Sequence, residues 1–395
     1  MKILLVNDYA TLTGGAEVAF LTLRDGLRKR GHDVRIFSSS ARPAPGVSIA
    51  DDECFGTTSP FRTLLQTFNV SAFWNLRRVL NQFKPDIVHV KLFLTQLSPL
   101  ILPLLEKIPA LYHAVWYRSI CPVGTKTLPN GNACQVQAGV ACYQNRCLPL
   151  RDWLPLMFQM TLLKKWRHVF KWVVANSGAV KDQLVAHGIE PVEVIWNGVP
   201  IECARPALSD PPTIGFAGRL VSEKGLDILL QAFVKVVKKM PNAKLVIAGE
   251  GYEDKKIKNL IIELQLSCNV LMLGYVPQSE LGKQLGSVWV QAVPSIFPEP
   301  FGITAAEAMM RGTAVIASRA GGLVEIVQHE KTGLLVPPSD VDRLAEALLR
   351  LLQNKSLAEK MGRAGREFAL THFNPSTFAD HFLALYEKLI KNGCR

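Results

Sequence analysis

The sequence predicts an α/β protein made of two doubly wound, Rossmann-like domains. Three observations lead there. The chain has 395 residues, and single hydrophobic cores stop growing near ~250–300 residues. A strand–loop–helix pattern starts at Lys2 and restarts at Thr213. Between them, Pro200 to Pro212 is rich in proline and small residues, as a linker is. With 48% hydrophobic and 20% charged residues, the composition is that of a globular protein and excludes a disordered one.

Lys2 to Val6 is a short apolar run ending in a polar turn. Such runs read as strands buried on both faces of a parallel sheet. Gly14-Gly15 then opens a helix with Ala16, Phe20, Leu23 and Leu27 at helical spacing. Further strands are expected at Asp33 to Ser38, Asp86 to Val90, Ala110 to Val115, Trp172 to Ala175 and Val192 to Ile195. The second pattern opens with Thr213 to Ala217, then a glycine-rich turn and a helix carrying Leu229, Phe233, Val236, Val237 and Met240. Strands recur at Lys244 to Ala248, Val270 to Leu273, Val288 to Val293, Ala314 to Ala317 and Leu334 to Val336. The expected division is residues 1–199, 200–377, and a closing helix over 378–395. In such pairs of domains a ligand cleft lies between them, outside the carboxyl ends of the strands.

The net charge of +12 is uneven. Residues 1–199 hold 22 Lys and Arg against 13 Asp and Glu, and the remainder holds 23 against 20. The basic half should face something anionic, and with no zinc-finger, helix-turn-helix or RNP-type signature a membrane surface is preferred to nucleic acid. No apolar run approaches the ~20 residues of a membrane span. Only Ile3 to Val6 is apolar near the N-terminus, short of the roughly 7–15 residues of a signal peptide core. The expected location is the cytoplasm, with peripheral placement on the inner face of the cytoplasmic membrane, and the eight cysteines reduced.

Two clusters carry phosphate and sugar chemistry. Gly218-Arg219-Leu220-Val221-Ser222-Glu223-Lys224-Gly225 lies between a strand and a helix. Its glycines let backbone approach a ligand, the helix after it offers N–H groups to an anion, and Arg219 and Lys224 supply a fork and a point charge. A basic loop in an ordinary α/β domain would look the same. Glu299-Pro300-Phe301-Gly302-Ile303-Thr304-Ala305-Ala306-Glu307 places two carboxylates eight apart across a loop-to-helix junction. Carboxylates are acceptor-only groups suited to sugar hydroxyls. Alternatively, Glu307 only favours a helix N-terminus.

Gly-Arg-x4-Lys-Gly followed by Glu-x7-Glu resembles the donor site of retaining glycosyltransferases of the GT-B fold, in particular glycosyltransferase family 4. Gly14-Gly15-Ala16-Glu17 resembles that family's N-terminal loop, and Asn197-Gly198-Val199 its turn at the domain junction. Gly321-Gly322-Leu323-Val324-Glu325-Ile326 and Thr332-Gly333-Leu334-Leu335-Val336 resemble its C-terminal segment. The resemblance covers nearly the whole chain. It implies transfer of a sugar from a nucleotide-diphosphate donor to a glycan or lipid-linked acceptor, in cell-envelope or exopolysaccharide assembly.

By that resemblance Arg219 and Lys224, with Gly218, would bind the donor diphosphate and stabilise the leaving group. Glu307 would bind the ribose. Glu299, with the backbone at Phe301, Gly302 and Ile303, would bind the sugar, and Thr304 would add a phosphate contact. Gly15 and Asn197 would complete the donor site from the first domain. Phe378 to Asn392 would be the helix returning to that domain. His113 stands where the family has a strand-end histidine near the reacting sugar, although many relatives read His-Asp and this chain reads His113-Ala114. The catalytic set is thus His113, Arg219, Lys224 and Glu299. No β-face nucleophile is visible, so departure and attack on one face are expected. No cofactor is expected for catalysis: the single Asp-x-Asp, Asp340-Val341-Asp342, reads as a helix start.

Two segments fall outside the donor site. Cys121, Cys134, Cys142 and Cys147 lie in an insertion over about 119–150. Four thiols in a reduced compartment suggest a structural zinc-like site, with unligated thiols or two disulfides as alternatives. Asp152 to Val173 carries Trp153, Trp166, Trp172, Phe158 and Phe170 among Lys164, Lys165, Arg167 and Lys171. It reads as a basic amphipathic helix at a membrane interface, or as a core helix with a solvated basic face. The rival functions are a GT-B nucleotide-sugar epimerase and a silent sugar-nucleotide-binding partner.

Overall fold

The computed structural model describes residues 1–11, 14–42, 48–59, 62–129 and 131–393. The chain forms two compact units, Met1–Gly198 with Pro375–Arg395, and Val199–Asn374. The return to the first unit therefore begins at Pro375, three residues before the expected 378.

The first unit contains β1 (Lys2–Tyr9), α1 (Gly15–Lys29), β2 (Asp33–Ser39), β3 (Asp52–Cys54), α2 (Arg62–Thr67) and α3 (Val70–Phe83). It continues with β4 (Ile87–Val90), β5 (Ala110–Ala114), α4 (Val140–Gln144), α5 (Leu150–Trp166), β6 (Trp172–Ala175), α6 (Gly178–Ala186) and β7 (Val192–Val194). All strands pair in parallel in the order β3-β2-β1-β4-β5-β6-β7. Chain direction along the sheet reverses between β1 and β4, which is where doubly wound sheets bind ligands. The register sets Ile3 opposite Ile87 and Leu5 opposite His89.

The second unit contains β8 (Thr213–Ala217), α7 (Leu226–Lys239), β9 (Lys244–Ala248), α8 (Asp254–Glu263), β10 (Val270–Gly274), α9 (Gln278–Gln284) and β11 (Val290–Val293). It ends with α10 (Ile303–Arg311), β12 (Ala314–Ser318), α11 (Leu323–Ile326), β13 (Gly333–Val336), α12 (Val341–Leu352) and α13 (Lys355–His372). Its parallel sheet runs β10-β9-β8-β11-β12-β13, with the reversal between β8 and β11. The apolar runs become strands because both sheet faces are covered: Ile214, Phe216, Leu245 and Ile247 pack on Leu229, Phe233 and Val236 of α7, and Ala217 and Ala248 on the other face pack with Leu281, Leu285 and Val288. Asp340 caps α12, accepting from the Arg343 N–H at 2.9 Å, as expected for a helix start.

The closing helix, α14 (Pro375–Gly393), belongs to the first unit. Phe378, Phe382, Tyr386 and Leu389 pack on Ile3, Leu5, Phe20, Leu27 and Leu111. Arg30 of α1 binds Asp380 at 2.7 Å.

One predicted element is corrected. Asp152 to Val173 is not a single helix: α5 ends at Trp166, a short 3-10 turn follows at Arg167–Val169, and Trp172 and Val173 start β6. Phe170 is buried, ring against Tyr112 at 5.3 Å. Phe170 is a core residue and Trp172 is half-buried because β6 must pair with β5. The exposed large apolar side chains on α5 are Leu150, Leu154 and Phe158, one face at four-residue spacing.

Replacing Phe378 by Ala should cost about 3–5 kcal/mol of stability in urea denaturation, because its ring is 3% exposed and packs edge-on to Phe382 at 5.2 Å. Lys391→Ala on the exposed side of the same helix should be near neutral.

Candidate functional site

In the second unit, the loops after β8 and β11 meet at the point where the strand order reverses. Ile296 N–H donates to Glu223 O at 3.0 Å. Gly225 has φ +65° and abuts the Pro294 carbonyl so closely that a Cβ there would collide with it. Only glycine satisfies both demands. The contact brings two predicted residues together: Lys224 Nζ lies 2.5 Å from Glu299 Oε1. Ser295 Oγ donates to the same oxygen at 2.6 Å. Lys224 also lies over the Phe297 ring, 5.3 Å from its centroid. Glu299 is 6% exposed, and a carboxylate that buried needs such partners. Gly322 N–H donates to Glu299 O at 2.7 Å, so the Gly321-Gly322 turn holds the backbone beneath it.

Gly302 caps α10 with φ +101°, and a Cβ there would strike Leu323. The helix that follows has Ile303 and Thr304 in its first turn, where N–H groups lack intrahelical partners. Phe301 is 2% exposed with its ring 5.6 Å from Phe373, so only its backbone can serve a ligand. Arg219 is exposed and Gly218 half-buried.

Glu307 lies within α10, 2% exposed. Gln278 of α9 donates to its Oε1 at 2.6 Å. Burial pushes its pKa up to about 7, and Glu202 adds to this while Arg311 opposes it. A cavity of about 750 Å³ adjoins it, its walls including Gln278, Glu202, Arg205 and Arg311. Arg311 lies 3.6 Å from Glu202, and Arg205 N–H donates to Arg311 O at 2.8 Å. The two predicted carboxylates thus have different surroundings: Glu299 is paired with a cation, while Glu307 is enclosed and hydrogen-bonded to an amide.

The first unit holds Gly15, His113 and Asn197. Gly15 is the first residue of α1. Lys91, directly after β4, is 1% exposed and donates to Ala16 O at 2.6 Å. Burial lowers its pKa to about 7 against the pull of Glu17. His113 is 1% exposed, and both ring nitrogens lack hydrogen-bond partners. Burial, then Lys91 and His89, hold its pKa well below the imidazole range, so at neutral pH it is uncharged. Asn197 is buried, with Oδ1 unpartnered.

Gln278, Ser295 and Lys91 were not marked by sequence reasoning. Ser295 is four residues before Glu299 and could have been read as its partner. Lys91 was visible as a charge ending an apolar strand. Gln278 reaches Glu307 from another helix, and no local pattern records that.

The four clustered cysteines are free. They lie near enough to affect one another's ionisation: burial, then Cys142, Cys134 and Cys121, raise the Cys147 pKa. The Cys134 sulfur faces Val136 O at 3.8 Å and Lys126 Nζ at 4.0 Å, and the Cys147 sulfur faces Asn145 O at 3.9 Å. Among the described residues no three His, Cys, Asp or Glu side chains are arranged to hold a metal ion. Two of the four thiols, those of Cys134 and Cys147, thus turn to backbone oxygens and a lysine. Asn130, in the same insertion, lies outside the described residues.

Residues 13–202 match the profile of "Glycosyltransferase Family 4", and residues 204–368 match "Glycosyl transferases group 1". An uncharacterized glycosyltransferase of Methanocaldococcus jannaschii is 35% identical over 191 residues, 47% of this chain and 48% of that protein. A GDP-mannose-dependent alpha-(1-6)-phosphatidylinositol monomannoside mannosyltransferase of Mycobacterium tuberculosis is 35% identical over 178 residues, 44% of this chain and 46% of that one. The chain spans about half the length of these curated relatives. Among solved structures, sucrose-phosphate synthase from Thermosynechococcus elongatus aligns with TM-score 0.78 and 23% identity, covering 99% of this chain and 100% of that one. Anabaena HepE, solved with UDP and glucose, aligns with TM-score 0.72 and 20% identity, covering 98% and 100%. The two parallel-sheet units have the GT-B fold, and with the two family profiles side by side along the sequence the chain belongs to glycosyltransferase family 4.

Proposed function

We propose that this protein is a retaining glycosyltransferase that moves a sugar from a nucleotide-diphosphate donor to a glycan or lipid-linked acceptor in envelope or exopolysaccharide assembly. The observation that carries this reading is the Lys224–Glu299 contact at the β8/β11 reversal, with the start of α10 and Glu307 beside it. Both bonds to Glu299 land on Oε1, which leaves Oε2 to accept from a sugar hydroxyl. Lys224 and Arg219 answer the diphosphate, Ile303 and Thr304 N–H groups add donors, and Glu307 takes the ribose. HepE, crystallised with UDP and glucose, lends weight to a nucleotide sugar as donor.

In the reaction, the bond between the sugar's anomeric carbon and the diphosphate oxygen breaks. The acceptor hydroxyl forms the new bond on the same face. Its proton passes to the departing phosphate oxygen. The protein's part is to orient the donor and to stabilise the charge growing on the diphosphate. No cofactor is assigned to these steps.

The acceptor side of the reading includes an anionic membrane surface. Leu150, Leu154 and Phe158 of α5 are exposed, and the Phe158 ring lies tilted against that of exposed Phe68, 5.3 Å away, next to exposed Leu64 of α2. Arg62, Arg151, Lys164 and Lys165 are exposed on the same two helices. Apolar anchors among cations suit an acidic lipid interface. No described helix is long and apolar enough to cross a membrane.

Three experiments test the reading. Thermal shift against UDP-, GDP- and ADP-sugars should show stabilisation by one nucleotide class, and Lys224→Ala should cut turnover of that donor by about 10²–10³-fold while the protein stays folded. A near-normal rate would remove Lys224 from the chemistry. Glu307→Gln should abolish the nucleotide-induced shift. A carboxyl with a raised pKa adds its full stability below about 4.5 and loses it as pH rises through about 7. The same variant should therefore melt higher than wild type at pH 8 and not at pH 5, and wild-type nucleotide affinity should fall as pH drops below about 7. Finally, Leu154→Ser with Phe158→Ser should weaken sedimentation with phosphatidylglycerol vesicles by about tenfold or more, the transfer free energy of two exposed apolar side chains. Equal binding to phosphatidylcholine vesicles would argue against the membrane contact.

A further inference from the structure

The C-terminal helix reaches the end of β5 through two aromatic side chains and a histidine. Tyr386 of α14 is fully buried, with its hydroxyl 2.6 Å from Nδ1 of His89 on β4. His89 in turn lies beside His113 of β5, ring centroids 5.3 Å apart and planes at 60°. Phe382, one helical turn before Tyr386, touches both imidazoles, at 4.9 Å from His89 and 5.0 Å from His113. The two rings are therefore held between neighbouring strands and one face of α14.

Burial holds both histidines well below the imidazole range and Tyr386 well above the phenol range. At neutral pH the histidines are uncharged and the tyrosine keeps its proton. A protonated phenol can donate to a neutral imidazole; with the Tyr386 hydroxyl donating to Nδ1, His89 carries its own proton on Nε2, which is enclosed without another partner. The charged groups near the rings are Lys91, whose amine is spent on Ala16 O, and Glu17, which acts on Lys91.

His113 differs from its neighbour. Both of its nitrogens are enclosed and without partners, whereas His89 has Tyr386 on Nδ1 and lacks a partner only on Nε2. A buried polar group left unmade is costly, and a neutral imidazole offers one donor and one acceptor, which is what a hydroxyl needs. The aromatic packing therefore fixes the plane of a ring whose two nitrogens make no hydrogen bond within the protein.

We propose that Tyr386 and His89 are positioning residues for His113, the hydroxyl fixing the His89 ring and tautomer and the His89 ring holding that of His113 ready for a hydroxyl of the donor sugar. The proposal rests on the reading of His113 as a donor-site residue. It gives the closing helix a role in the reaction besides filling the core.

The test uses the full chain and the nucleotide sugar of the UDP-, GDP- and ADP-sugar panel that stabilises it. Tyr386→Phe, His89→Asn, His89→Leu and His113→Ala are compared for kcat, donor KM and melting temperature. Histidine ring ¹⁵N shifts are recorded for wild type and Tyr386→Phe. Wild type should show His89 as the Nε2–H tautomer, and Tyr386→Phe should lose that single state. Tyr386→Phe should lower kcat about 10- to 100-fold with donor KM within about twofold, the size of effect a misplaced group gives. His89→Asn, whose Oδ1 can accept from Tyr386, should keep more turnover than His89→Leu. Wild-type turnover in Tyr386→Phe and His89→Leu, with loss only in His113→Ala, would overturn the relay and leave the donor-site reading standing. Normal turnover in His113→Ala would overturn that reading and the relay with it. If His89→Leu fails to fold, Tyr386→Phe and His89→Asn still decide the matter.

Discussion

Glu299 is a carboxylate with almost no access to water, and its pairing with Lys224 is the constraint on which the second unit's site depends. The pair spans two loops that begin on adjacent strands, β8 and β11. For the charges to meet, both loops must close over the strand ends. That requires a glycine in the left-handed region at 225 and a Gly321-Gly322 turn close under the Glu299 backbone. The bulky apolar residues below the loops only have to fill volume. These few positions fix where charge sits.

The same economy recurs at three buried polar side chains, one within α10 and two at the ends of β4 and β5. Glu307, Lys91 and His113 are each enclosed, and burial shifts each toward its neutral form. None of these placements favours folding by itself. Their hydrogen bonds are few and specific: an amide to Glu307, one backbone carbonyl for the Lys91 amine, and only ring contacts for His113. Groups kept near neutrality and short of hydrogen bonds are the ones a ligand can pair with at little cost in reorganisation. Polar residues elsewhere, such as Asp8 with its four bonds from Thr95, Gln96 and Leu97, are satisfied and serve the fold.

Much of the architecture was legible because parallel strands buried on both faces must be apolar runs. Trp172 to Ala175, Thr213 to Ala217 and Lys244 to Ala248 are strands over the residues expected. The glycine-bounded loops were legible for a related reason, since a positive φ narrows the choice of residue. Over residues 52–83 the edge strand β3 has three residues, too few for any pattern. Helix α3 carries a regular signal, with Ala72, Leu76, Val79 and Phe83 buried and Asn69 as its cap, yet no expectation was attached to it. The stretch from Asp152 to Val173 failed differently. Its aromatics and cations fit an amphipathic helix until pairing with β5 claims Trp172 and Val173 for the sheet.

By itself, the sequence determined the number of domains, the alternation of strands and helices, and the glycines, cations and carboxylates at the ends of β8 and β11. Those depend on local periodicity and on backbone angles that few residues tolerate. Tertiary structure alone decided which charges face each other and which are shut from water. Lys224 and Glu299 are 75 residues apart, Gln278 and Glu307 lie on different helices, and Tyr386 meets His89 across 297 residues. Hydrogen bonds and pKa shifts depend on distance and solvent access, and a linear chain specifies neither until it has folded.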